Sequence, residues 1–126
     1  MTKKAAHDKT TIRTREELIY ALCEAAEIEH GLTCVYLFTA FSMKKFLYEE
    51  IDEVQQDKIR NWASVILRVA HQEMEHLGLV CNMLNAIGGA QHFARPNLPQ
   101  PKEYYQTAVD LNLSKFSLAT MADFMA

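Results

Sequence analysis

No proline interrupts residues 14 to 87, and within that span apolar side chains return every three or four positions. That periodicity belongs to amphipathic helices, and its length leaves little room for another fold. Leu18, Leu22, Ala26, Glu29, Thr33, Tyr36, Ala40, Met43 and Leu47 form one stripe. Ile59, Trp62, Ile66, Val69, Glu73, His76, Val80, Leu84 and Ile87 form a second. Thr14 with Glu17 makes a capping box that opens the first helix, read as residues 14–48. Asp52 is a suitable N-cap for the second helix, read as 53–87, and Gly88-Gly89 supplies its left-handed stop. The charged link Glu49-Glu50-Ile51-Asp52 is so short that the two helices should pack antiparallel.

Beyond Gly89 the pattern changes. Pro96, Pro99 and Pro101 forbid a continuous helix, so residues 90–113 read as a connector, with a helical turn or two between Glu103 and Val109. Ser114 to Ser117 resembles a helix start, and Leu118, Met121 and Phe124 give the following residues an apolar face, so a third helix is expected over 114–126. Residues 1–13 are polar and aperiodic and read as a loose arm. The expectation is all-α: one helical domain over 14–126, made of a long antiparallel hairpin and the start of a third helix, half of a four-helix bundle.

The apolar stripe of the second helix carries two residues that do not belong in oil. Glu73 and His76, in Ala70-His71-Gln72-Glu73-Met74-Glu75-His76, leave the helix from one face. Burying them costs free energy unless they are compensated, and a metal ion compensates both. Glu-x-x-His is also the spacing of di-iron carboxylate bundles. The first helix contributes Glu29 to its own stripe. Residues 29 and 73 are equidistant from residue 51 in the link, roughly 33 Å from it at about 1.5 Å per residue, so they should meet across the hairpin. Glu29, Glu73 and His76 are the candidate metal ligands, about half of the set that a di-iron site needs. The mixed oxygen and nitrogen donors suit iron or manganese, with zinc able to occupy the same site. The missing half must come from a second copy of the hairpin or from further helices. The bland alternative is a salt-bridged cluster.

Other polar residues have duller expected roles. Tyr36 is a core tyrosine or a hydrogen-bond partner of a ligand. Glu24, Glu27 and Glu75 fall off the stripe and should be solvated, as should His71. Glu27 and His30 repeat the Glu-x-x-His spacing on a rotated face and read as a decoy. Trp62, Phe38 and Phe41 are expected in the core or an interface; Cys34 and Cys81 read as small buried residues. His7 and His92 lie in irregular segments and carry no assignment.

Composition removes several function classes. A formal charge of −3 with no basic cluster gives no reason to expect a nucleic-acid partner. The most apolar run, 32–43, is far short of the ~20 residues of a membrane span. Cys23, Cys34 and Cys81 contain no C-x-x-C pair and read as free thiols in a reducing cytoplasm.

The stretch Glu29-His-Gly-Leu-Thr-Cys-Val-Tyr-Leu resembles the first-helix Glu of ferritins with its Tyr-Leu two turns later. Glu73-Met-Glu-His76, closed by Gly88-Gly89, resembles the ferritin second helix. More closely, Glu27-Ile-Glu29-His30, Ser42-Met43-Lys44, Leu84-Asn-Ala-Ile-Gly-Gly89, the Phe93 to Pro99 segment and Leu111 to Ser117 resemble the ferritin-like domain named after iminophenylpyruvate dimer synthase. The resemblance spans residues 14 to 126. It implies a ferritin-like bundle and a metal-dependent oxidative role. A non-haem di-iron oxidoreductase is then expected, acting with oxygen or peroxide on a small organic molecule such as an amino-acid-derived imine, in a homodimer or larger homo-oligomer. Iron storage of the ferritin type, and a structural homodimeric bundle with a decayed site, are the alternatives.

Overall fold

A computed structural model describes residues 11–46 and 49–126. Four helices follow in order: α1 (Arg15–Phe41), α2 (Glu53–Ala86), α3 (Lys102–Tyr105) and α4 (Leu118–Phe124). Most of the expected N-terminal arm, residues 1–10, lies outside the described residues; 11–13 are irregular and exposed. No described helix is long and apolar enough to cross a membrane.

Both long helices begin where their side chains can cap them. Thr14 accepts the Glu17 N–H while the Glu17 carboxylate accepts the Thr14 N–H, and Asp52 and Gln55 repeat the exchange at α2. The end of α2 is a Schellman motif. Gly88, at φ 74°, donates its N–H to Asn85 O at 3.0 Å, and Gly89 donates to Leu84 O at 2.8 Å. Arg15 then reaches across from the first turn of α1, donating from Nε to Ile87 O at 2.7 Å and from Nη2 to Gly88 O at 2.8 Å. The start of α1 thus meets the end of α2, and the hairpin is antiparallel.

The expected extent of α1 needs correction. It stops at Phe41 rather than 48, although residues 47 and 48 lie outside the described residues. Side chains that compete for the backbone cause the stop. Ser42 Oγ donates to Thr39 O at 2.7 Å and accepts the Phe116 N–H at 2.8 Å. The Glu49 carboxylate accepts the N–H groups of Lys45 and Phe46 at 2.6 and 2.9 Å, folding the link into a turn of its own. Met43 remains buried, so the apolar periodicity outlasts the helix.

Among the described residues, buried side chains gather in two clusters beside those that line the hairpin. Ala40, Met43 and Ile66 join the helices near the link, with Tyr36, Phe116 and Met121 packed against them. Val35, Tyr105 and Leu111 form a second cluster where the connector lies on α1. An antiparallel bridge between Gln100 and Leu111, with N···O distances of 2.9 and 2.8 Å, closes the connector into a loop. That loop contains the single turn of α3, one of the one or two helical turns expected here, beginning at Lys102. The helix expected over 114–126 starts later than expected and is seven residues long. Residues 114–117 run outside any helix, and α4 begins at Leu118 behind the Ser117 cap. Thr39 Oγ1 donates to Ser114 O at 2.7 Å, so the exit from the connector is pinned to α1.

Candidate metal centre

Glu29 lies twelve residues before the end of α1, and Glu73 twenty residues after the start of α2. The two are nevertheless level, because the link carries the chain well past the end of α1 before α2 begins. The expected symmetric turn is therefore absent, yet the expected meeting occurs. His76 Nδ1 stands 3.4 Å from Glu29 Oε2 and 3.5 Å from Glu73 Oε2. One donor atom from each of the three residues falls within a 4.8 Å cluster, which has the size of a metal site.

Burial grades across the cluster. The Glu73 and Glu29 side chains are 14% and 22% exposed, whereas His76 is 52% exposed. The carboxylates therefore sit in the seam and the imidazole at its mouth. Burial, followed by the hydrogen bond and negative charge of Glu73, pushes the Glu29 carboxyl up to about 7. Burial alone would lower the His76 imidazole, but the two carboxylates together hold it above its ordinary value. Glu29 Oε2 is buried with no hydrogen-bond partner, since the nearby His76 nitrogen lacks the required geometry. Two facing carboxylates, a neutral-capable imidazole and an orphaned oxygen make a donor set suited to a cation.

Tyr36 is one of the half-buried residues packed on the hairpin core, its ring 4.6 Å from that of Phe124. Burial, then the charge of Glu73, raises its phenol above the ordinary value. Glu24, Glu75 and His71 are exposed as expected, and His71 pairs with Glu75 at 3.6 Å. Phe38, Phe41 and Trp62 are exposed, not core, and Trp62 stacks on Phe116 at 5.8 Å. Cys81 is buried, Cys34 only partly so, and the three thiols are free.

Glu27 is a correction. It is not solvated: Tyr105 Oη donates to Glu27 Oε2 at 2.7 Å, and His92 Nε2 lies 2.9 Å from Oε1. His30 Nδ1 contacts Phe93 O at 2.9 Å. The rotated Glu-x-x-His face thus holds the connector, which also gives His92 its role. A second run of small and apolar residues, Ile28, Gly31 and Val35, marks this face in the sequence. Gly31 faces Leu111 so closely that an added Cβ would stand 3.4 Å from Leu111 Cδ1.

Comparison with known proteins fits this architecture. No curated protein and no solved structure gives a significant match. A family model described as Ferritin-like matches residues 22–126, a span that contains α2, α3, α4, most of α1 and all three clustered donors. The chain belongs to the Ferritin-like family.

Proposed function

We propose that Glu29, Glu73 and His76 hold iron as half of a dinuclear centre, and that the chain is a non-haem oxidoreductase acting on a small organic substrate. The observation that carries this reading is the convergence of three donor atoms within 4.8 Å, one of them a buried carboxylate oxygen with no hydrogen bond. Glu29 and Glu73 would supply the carboxylate ligands and His76 the nitrogen donor. Iron bound there supplies redox chemistry and Lewis acidity toward oxygen or peroxide. The seam residues keep the carboxylates out of bulk water and fix their approach, while His76 keeps one side of the cluster open. Within the family we assign the chain to the iminophenylpyruvate dimer synthase type, on the segments quoted above, with an amino-acid-derived imine as the substrate class.

His76 shares its stripe of α2 with Val65, Leu79 and Met83, all exposed, and with half-exposed Trp62. We assign this stripe to a second copy of the hairpin, which would bring another Glu29, Glu73 and His76 to complete the ligand set. Metal analysis combined with solution mass tests the whole reading. The expectation is roughly one iron per chain in a dimer, lost on Glu73→Ala or His76→Ala. Unchanged metal stoichiometry in those variants would sink the metal assignment, and a monomer with full metal content would sink the dimer.

A further inference from the structure

A cleft of about 340 Å³ lies between α1, residues 108–114 and α4. Its walls are Leu32, Val35, Tyr36, Leu111 and Phe124. That volume is at the low end for small-molecule sites, enough for an apolar body of about ten heavy atoms. Three charged residues also line it: Asp110, Asp123 and Lys102. The Lys102 backbone N–H occupies only one oxygen of Asp110, Oδ1, at 2.9 Å. Two carboxylates against a single ammonium leave the lining net negative. The lining also includes the aromatic side chains of Tyr36 and Phe124.

We propose that this cleft binds a small organic cation, an aromatic or branched aliphatic body carrying a protonated amine. The apolar part would lie on Leu32, Val35 and Leu111, and the ammonium toward Asp110 and Asp123. The inference deepens the oxidoreductase reading and rests on it for its purpose, because Tyr36 is a wall of the cleft and also packs beside the seam that holds Glu73. Tyr36 is therefore the side chain through which a ligand in the cleft would be felt at the seam, where the charge of Glu73 acts on its phenol. Binding itself requires no metal.

The test is calorimetric titration of the full metal-free chain with phenethylamine, phenethyl alcohol and 3-phenylpropionate. The amine should bind at least about tenfold tighter than the acid, with the alcohol between them. Ala108 lines the cleft from an exposed position, so Ala108→Phe should fill it without disturbing the fold and weaken the amine by about tenfold or more. Asp123→Asn should bring amine and acid to within about threefold of each other. No saturable binding of the amine, equal or tighter binding of the acid, or indifference to Ala108→Phe would each overturn the proposal. Loss of metal in Glu73→Ala is measured separately, so failure of the cleft and failure of the metal centre are distinguishable.

Discussion

Glu29 and His76 face one another across the hairpin seam with 3.4 Å between Oε2 and Nδ1, a distance at which they attract without forming a hydrogen bond. Each helix is capped at its own start, and Arg15 ties the first turn of α1 to the end of α2, so the backbones that carry the pair are fixed relative to one another. A gap of this kind between a carboxylate oxygen and the nitrogen of a neutral imidazole is what a bound cation can bridge.

The charge state of this seam sets a pH dependence. In the folded, metal-free chain the Glu29 carboxyl is at about 7 against an ordinary 4.5, so the folded state holds a proton that the unfolded state releases. Stability should therefore fall as pH rises from 4.5 toward 7. The raised His76 acts in the same direction at higher pH, its contribution being lost as pH rises through its folded value above 6.5. Thermal melts across this range should show a falling Tm, and Glu29→Gln should remove the lower part of the slope. Iron affinity should rise over the same interval, because metal and proton compete for the carboxylate.

Arg15 makes two hydrogen bonds to the closing carbonyls of α2. Arg15→Ala should cost about 1 kcal/mol, the discounted value for a charge-assisted contact at an exposed site, measured by urea unfolding. Metal content should not change.

Glu27→Ala leaves the Tyr105 hydroxyl and His92 without their shared acceptor. The expected cost is about 1–3 kcal/mol, concentrated in the connector. Hydrogen exchange should accelerate at residues 92–111 and remain protected in the middle of α2. Uniform acceleration throughout the hairpin would contradict the assignment.

Leu84 is fully buried beneath the Schellman turn. Leu84→Ala should destabilise the chain by about 2–5 kcal/mol through lost burial and the cavity left behind. Denaturant midpoints would register this as one of the largest single losses on α2.

The legible parts of the sequence were those governed by local chemistry. Asp52 with Gln55 and the Gly88-Gly89 pair bracket α2, so its limits fall within a residue of the expected ones. The meeting of Glu29 with Glu73 and His76 was also readable, because three donors on two apolar stripes have few other places to go. The end of α1 was hidden. Apolar spacing continues through Met43, and nothing in that spacing shows that Ser42 and Glu49 will hydrogen-bond to the backbone. The environment of Glu27 is hidden for a related reason. Helical phase shows that it leaves the seam, but not that Tyr105 and His92, more than sixty residues away, will return to cover it. The connector's path is tertiary information, carried by contacts that no local window contains.

Ser42 serves two parts of the molecule with one hydroxyl, ending α1 through Thr39 O and receiving the N–H of Phe116. It therefore acts as a ruler for the hairpin. An extra residue inserted between Glu29 and Ser42 would turn this anchor by about 100° around the helix axis relative to Glu29. The segment that enters α4 would then be docked on another side of α1. The spacing of thirteen residues between a donor and a helix stop is in this sense an angular coordinate, and it sets where the next helix sets out with respect to the chemistry.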